Sequence, residues 1–198
     1  YKLICVQYKL ICVQYKLICV QYKLICVQYK LICVQYKLIY KVFYYMQDCI
    51  IEIPKNSYVK YEIDKGKLIV DRILSTPIPF PFNYGYIPNT LAGDGDPLDI
   101  VVLSDYELVP GCSVKCKILG YLDMEDEKGI DEKIISVISS DFNYKKCNRL
   151  EDLSEKSLHD IKYFFEHYKD NELNKFSKIG QFYEKEEALE LIAKTKLN

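Results

Sequence analysis

The chain begins with five identical copies of the heptapeptide Tyr-Lys-Leu-Ile-Cys-Val-Gln, and a partial sixth copy ends at Ile39. A seven-residue period suggests a coiled coil. In a helix, however, Gln7 and Lys9 would lie about 160° apart around the axis, and five of the seven positions in each copy are apolar. In a strand, an odd period moves every side chain to the opposite face in the next copy. The repeat therefore predicts no element with one apolar and one polar face, although its uncharged stretches are typical of aggregating segments.

We interpret residues 1–41 as a tandem duplication, or a misread frame, outside the functional fold, and residues 42–198 as the functional domain. A self-association segment is the alternative for the repeat. Met46 is a plausible first residue of the protein. A lysine in every copy interrupts the run of about 18 apolar residues that a membrane span needs, and no signal-peptide pattern is present. We therefore expect a cytoplasmic protein without a membrane partner.

The cysteines predict neither a zinc site nor disulfides. Five of the nine belong to the repeat. The other four have no Cys-x-x-Cys spacing and no His at zinc-ligand spacing, and without a secretory signal they are expected to be free thiols. They are Cys49, Cys112, Cys116 and Cys147.

The formal net charge of −1 averages two unlike parts. Residues 1–41 contain seven lysines and no acid, so residues 42–198 contain 20 basic and 28 acidic side chains. Proteins that bind nucleic acids rely on an excess of Lys and Arg to neutralise phosphates. We therefore expect no nucleic-acid partner, and the acidic surplus favours a protein that collects cations.

The hydrophobic pattern after the repeat changes from strands to helices. Residues 58–64 alternate between polar and apolar, and the Lys65-Gly66 turn leads into a second strand of a hairpin. Short strands are predicted at 49–54, 58–64, 67–74, 100–103, 114–122 and 133–139, a loop-rich stretch at 77–88, and helices over 150–168 and 184–196. This order predicts an α+β fold, a small closed five-stranded barrel of the OB type with helices at its C-terminal end.

Two acidic segments carry the strongest chemical signal. Residues 94–99 read Asp-Gly-Asp-Pro-Leu-Asp, and oxygen ligands of this kind suit a hard divalent ion such as Mg²⁺. An EF-hand is excluded because its sixth position requires Gly, whereas Asp99 stands here. A solvated acidic turn is the alternative for this segment alone. A second set, residues 126–131, precedes Lys133, and the strand at 58–64 also directs charge to one face, so together they suggest a cavity for several metal ions and a polyanion.

Seven segments in order resemble soluble inorganic pyrophosphatase of family I, of the bacterial type, from about Asp48 to the C-terminus. They are Ile51-Glu-Ile-Pro54, Lys60-Tyr-Glu-Ile-Asp64, Val70-Asp-Arg72, Asn83-Tyr-Gly-Tyr86, Asp94-Gly-Asp-Pro-Leu-Asp99, Asp126-Glu-x-x-x-Asp131-x-Lys133 and Phe164-Phe-Glu-His-Tyr-Lys-Asp170. The resemblance implies hydrolysis of pyrophosphate to two orthophosphates by direct in-line attack of a metal-activated water, without a phospho-enzyme. It also implies several Mg²⁺ ions per site and a homo-oligomer, with a hexamer favoured. The repeat has no counterpart in this family.

The resemblance also implies roles for individual residues. The metal ligands would be Asp94, Asp99, Asp131 and Asp126, with Glu52 and Glu62 as outer ligands. The substrate-binding residues would be Lys60, Glu62, Arg72, Tyr84, Lys133, Tyr168 and Lys169. Asp96 would be the base that accepts a proton from the attacking water. The residues counted as catalytic are Asp96, Lys60, Arg72, Tyr168 and Lys169.

The chain departs from the family pattern at two aromatic positions. Phe80 stands four residues before Tyr84, where the family commonly has Tyr, and Phe176 stands where a Trp is frequent. Losing one neutral hydrogen bond at position 80 would cost about 1 kcal/mol, which tunes activity rather than abolishing it. Two other functions are open: a metal-dependent phosphatase acting on organic phosphates, and a small-barrel binding module without catalysis.

Overall fold

The computed structural model describes residues 46–197 and twelve helical residues within the repeat. The latter are residues 10, 11, 13, 14, 17, 20, 21, 23–25, 27 and 28. The chain divides into two compact units, Tyr1–Tyr44 and Tyr45–Asn198. Leu10, Leu17 and Leu24 are 59–60% exposed, as expected of a helix whose pattern has no single apolar face. The other residues of the segment 1–41 lie outside the described residues.

The described residues of the second unit, 46–197, contain nine strands, a short 3-10 helix and two α-helices. The strands are β1 (Met46–Ile53), β2 (Val59–Asp64), β3 (Lys67–Ile73), β4 (Asn83–Tyr86), β5 (Asp99–Leu103), β6 (Ser113–Asp126), β7 (Gly129–Ile130), β8 (Lys133–Ile138) and β9 (Ser177–Glu184). The 3-10 helix is Leu150–Asp152, and the α-helices are α1 (Glu155–His167) and α2 (Lys185–Thr195).

Five of the strands close on themselves. The pairing order is β1-β4-β5-β8-β6, and β6 pairs again with β1. Within this ring the β5–β8 pair is parallel and the other pairs are antiparallel. β7 and β9 pair with β6 outside the ring, and β2 and β3 form a separate hairpin. The predicted α+β fold with a small closed five-stranded sheet and C-terminal helices is confirmed.

The ring is buried on both faces, which explains its continuous apolar runs. Along β5, Val101 and Leu103 pack in one cluster with the phenylalanines of α1, whereas Ile100 and Val102 pack in a second cluster with α2. The four cysteines after the repeat are free thiols. Three of them, Cys49, Cys116 and Cys147, are buried in these clusters, so they act as small apolar side chains.

The stretch at 83–86, predicted as part of a loop, is strand β4. Gly85 explains the difference, because a Cβ atom at this position would lie 1.8 Å from the carbonyl oxygen of Ile50. Only glycine therefore lets β4 approach β1 closely enough to pair. The loop was predicted because glycine and the neighbouring prolines are common in turns. The sequence pattern does not predict strands β7 and β9 or the extension of β6 to Asp126. These segments are strands because β7 and β9 pair with the end of β6, and not because polar and apolar residues alternate in them.

The first α-helix delivers two predicted site residues. The side chain of Ser154 accepts a hydrogen bond from the Ser157 backbone N–H at 3.0 Å and caps its N-terminus. The helix ends at His167, and Tyr168 and Lys169 follow directly. No helix among the described residues is both long enough and apolar enough to cross a membrane.

We expect Gly85→Ala to destabilise the fold by about 3 kcal/mol or more, because the added methyl group collides with rigid backbone. Urea unfolding midpoints measure the effect. Gly93→Ala is the matched control, since nothing lies within 4 Å of its added Cβ, and it should change stability by less than about 1 kcal/mol. Equal midpoints for the two variants would contradict the close approach of β4 and β1.

Candidate active site

A cavity of about 640 Å³ opens between the hairpin β2–β3, the 94–99 loop, the β6–β7 turn and the C-terminal end of α1. All thirteen residues predicted for the site line it. They are Glu52, Lys60, Glu62, Arg72, Tyr84, Asp94, Asp96, Asp99, Asp126, Asp131, Lys133, Tyr168 and Lys169. Their positions in the chain span more than a hundred residues, so the fold alone brings them together.

Irregular strand pairing directs the first group into the cavity. The register of β1 with β4 shifts between Ile51 and Ile53, which places Glu52 at the irregularity. A second shift in the hairpin sets Lys60 directly opposite Arg72. The Lys60 ammonium lies 3.6 Å from a Glu52 oxygen and 3.1 Å from a Glu62 oxygen. The two carboxylates and two cations therefore form one wall.

The 94–99 loop is held by backbone and hydroxyl contacts. The Thr90 hydroxyl donates to the Ile87 carbonyl at 2.6 Å and accepts from the Leu98 N–H at 2.9 Å. Within the loop, the Asp96 N–H donates to an Asp94 carboxylate oxygen at 3.1 Å. These bonds leave the Asp94 and Asp96 carboxylates exposed, where they can accept a ligand.

Lys133 is buried between two carboxylates. Its ammonium donates to Asp99 at 2.5 Å and also to Asp131, and only 2% of the residue is exposed. Burial by itself would lower the pKa of Lys133, but the Asp99 and Asp131 charges raise it above its ordinary value. The lysine therefore remains charged at neutral pH.

Lys169 makes a similar pair with the β6–β7 turn. Its ammonium donates to Asp126 and to Glu127, each at 2.7 Å. Burial opposes ionisation of Asp126, yet the Lys169 hydrogen bond and the Lys128 N–H hold its pKa below the ordinary value. Tyr168 is beside this pair, and burial together with the neighbouring carboxylates raises the pKa of its hydroxyl, so it stays protonated and can donate.

The cavity holds more negative than positive groups. Ten carboxyl side chains and six basic side chains line it. Burial raises the pKa of Glu52 to about 7, against the favourable charge of Lys60, and Asp99 and Glu62 raise it further. Burial likewise raises the pKa of Asp131 to about 6, although Lys133 opposes this. In both cases burial is the main cause, and the neighbouring carboxylates add to it.

The donor chemistry fits a hard divalent cation. Among residues 46–197, no three acidic, histidine or cysteine side chains are already grouped around one metal position, because Lys133 and Lys169 lie between the carboxylates. The available donors are nonetheless carboxylate oxygens without cysteine or histidine, the set that Mg²⁺ prefers. The excess of ten carboxyl over six basic side chains leaves net negative charge for additional cations to neutralise.

Several lining residues were not predicted. They are Asp71, Tyr86, Glu127, Lys128, Glu172 and Lys175. Glu127 and Lys128 lie inside the second acidic segment, so their proximity in sequence was the available signal. Asp71 and Tyr86 likewise lie inside quoted motifs. The sequence carried no comparable signal for Glu172 and Lys175, whose positions follow from the chain path after α1.

We expect the Glu52 carboxyl to lower the free energy of unfolding of the metal-free protein as the pH rises. Between the ordinary value of 4.5 and about 7, folded protein keeps a proton that the unfolded chain has released, so unfolding releases a proton and is favoured by rising pH. Glu52→Gln lacks this contribution. The variant should gain about 1–2 kcal/mol relative to wild type from pH ~4.5 to pH ~8, measured by urea unfolding in a chelating buffer.

The control for this measurement is Glu125→Gln, an exposed carboxylate on β6 outside the cavity. Its stability relative to wild type should vary by less than about 0.5 kcal/mol over the same range. A constant difference between Glu52→Gln and wild type at every pH would refute the raised pKa.

The chain is similar to known proteins in both sequence and fold. Residues 49–198 match the family model described as inorganic pyrophosphatase. The inorganic pyrophosphatase of Campylobacter jejuni is 45% identical over 151 residues, which cover 74% of this chain and 88% of that protein. The corresponding protein of Rickettsia prowazekii is 48% identical over 148 residues, covering 72% and 86%.

Solved structures give the same result. The inorganic pyrophosphatase of Helicobacter pylori superposes with a TM-score of 0.73 at 44% identity, covering 77% of this chain and 92% of that one. The enzyme of Thermus thermophilus superposes with a TM-score of 0.72 at 40% identity, covering 75% and 88%. The chain belongs to the inorganic pyrophosphatase family.

Proposed function

We propose that this protein is a cytoplasmic inorganic diphosphatase that hydrolyses pyrophosphate to two orthophosphates with Mg²⁺ as cofactor. The observation that carries the proposal is the composition of the cavity. Ten carboxyl and six basic side chains line one space of about 640 Å³. Pyrophosphate carries up to four negative charges, so a cavity with surplus acid can accept it only together with cations. The lysines and Arg72 then bind the phosphate oxygens, which the carboxylates would repel.

The carboxylates divide into ligand and base. Asp94, Asp99, Asp126 and Asp131 would hold Mg²⁺, and Glu52 and Glu62 would act as outer ligands. When bound, Mg²⁺ would neutralise phosphate oxygens and lower the pKa of a water molecule. Asp96 accepts the proton of the attacking water. Its carboxylate is exposed to the cavity, and this position suits a general base.

The cations bind and orient the substrate. Arg72 offers a planar fork for two phosphate oxygens, whereas Lys60, Lys133 and Lys169 act as point charges. The protonated hydroxyls of Tyr84 and Tyr168 donate further hydrogen bonds. Water attacks one phosphorus in line as the bond to the bridging oxygen breaks, so that no covalent phospho-enzyme forms.

The wall at Phe80 is apolar. Its ring packs 4.4 Å from the ring of Phe164 and 5.3 Å from that of Tyr84, measured between centroids, and 4% of the residue is exposed. A tyrosine there would add a hydroxyl at the cavity. The ring packing itself is complete without one, which supports an effect of position 80 on rate rather than on folding.

We expect phosphate release from pyrophosphate to require Mg²⁺, and Asp96→Asn to lower kcat about a hundredfold or more because the base is lost. A phosphate-release assay with and without Mg²⁺ measures both. Asp48→Asn is the matched control: Asp48 is exposed, is paired with Lys115 at 3.9 Å and lies outside the cavity, so its kcat should stay within about twofold of wild type.

Three outcomes would contradict this proposal. Absence of turnover in the folded, Mg²⁺-saturated protein would favour a binding module without catalysis. Faster release of phosphate from organic phosphate esters would favour the phosphatase alternative. Wild-type activity in Asp96→Asn would show that another group accepts the proton.

We further propose that residues 42–198 carry the activity and assemble as a hexamer, with the repeat outside the functional fold. Exposed apolar side chains on the β2–β3 hairpin outside the cavity, among them Leu68 at 48% and Val70 at 56%, support an interface between copies. A chain lacking residues 1–41 should keep kcat/KM within about twofold and sediment as a hexamer. A large loss of activity, or a different oligomer from that of the whole chain, would assign the repeat a role.

A further inference from the structure

The turn between β6 and β7 places Lys128 in the cavity, at a position that the quoted motif Asp126-Glu-x-x-x-Asp131-x-Lys133 leaves unspecified. Asp126 and Gly129 are paired in register, so Glu127 and Lys128 form the tip of this turn. The Lys128 N–H donates to an Asp126 carboxylate oxygen at 2.7 Å, and Gly129 adopts a φ of 128° that favours glycine. The backbone of Lys128 is therefore held by the site itself.

The ammonium of Lys128 is held far less firmly than its backbone. Lys60, Lys133 and Lys169 each contact two carboxylates. Lys128 contacts Asp96 at 3.7 Å, which is longer than a hydrogen bond. Its side chain is 63% exposed and that of Asp96 is 69% exposed. An ion pair of this kind contributes little free energy, so the ammonium can change partners at small cost.

The position of the Lys128–Asp96 pair favours one new partner for the ammonium, an anion bound in the cavity. Lys128 and Asp96 come from different segments, and both line the cavity. A polyanion entering the cavity presents several charged oxygens, which compete with the single Asp96 carboxylate for the ammonium. The flexible four-carbon stem of lysine allows the ammonium to follow such an oxygen while the backbone stays fixed.

We propose that Lys128 is a substrate-positioning residue, whose ammonium leaves Asp96 and binds an oxygen of pyrophosphate when the substrate enters. The exchange also releases the Asp96 carboxylate from its ion pair. This inference rests on the proposed function and adds to it a residue that the quoted motifs do not specify.

The test compares steady-state kinetics of Lys128→Ala, Lys128→Arg and wild type with magnesium pyrophosphate as the substrate. Lys128→Ala should raise KM about three- to fivefold, the scale of one exposed ionic contact, with kcat lowered at most about twofold. Lys128→Arg keeps the charge and should return KM to within about twofold of wild type. If Lys128 had only a structural role, Lys128→Ala would not raise KM while leaving kcat nearly unchanged, and Lys128→Arg would not restore KM.

Lys178→Ala is the matched control, because Lys178 is also exposed, lies 3.8 Å from the Glu125 carboxylate and is outside the cavity. Its KM should equal that of wild type. Wild-type turnover together with an unchanged KM in Lys128→Ala, or a raised KM that Lys128→Arg does not restore, would overturn the role of Lys128 alone. A wild-type protein that does not hydrolyse pyrophosphate would overturn the proposed function as well.

Discussion

The buried ammonium of Lys133 joins the acidic loop to the sheet. β5 and β8 run parallel with Ile100 opposite Ile134, so Asp99 and Lys133 stand at the same ends of neighbouring strands. Asp131, just before β8, completes the trio. An unpaired charge at this depth would be strongly destabilising, so each member holds the others in place. If the two carboxylates bind a metal ion, as proposed, the ammonium would become available to an anion, and metal binding would be coupled to phosphate binding.

Aromatic packing sets the other side of the cavity. The rings of Phe80, Phe164 and Phe165 pack around the end of α1, and the Tyr168 ring lies 5.6 Å from that of Phe165. This packing fixes where the helix ends and so where Lys169 meets Asp126. The apolar cluster and the charged cluster therefore share a boundary, and burial at this boundary raises the pKa of Tyr168 and of Asp131.

Much of the fold could be predicted because its signals are local. The alternation in residues 58–64, the Lys65-Gly66 turn and the apolar spacing in α1 are each readable within a few residues. Strand β4 could not be read in this way, because Gly85 is needed for contact with Ile50, 35 positions earlier. Strand β9 is half-exposed and is specified by its pairing with β6. Such long-range constraints leave no periodic trace in the local sequence.

The sequence itself determined which residues are proposed for the site, since their types and order resemble a known motif and their acidic surplus follows from counting charges outside the repeat. The tertiary structure decided which charges meet. The register shifts at Glu52 and between Lys60 and Tyr61, the pairing of Lys133 with Asp99 and the reach of Lys128 to Asp96 depend on strands distant in the chain. Electrostatic energy depends on separation and burial, and only the folded protein sets these two quantities.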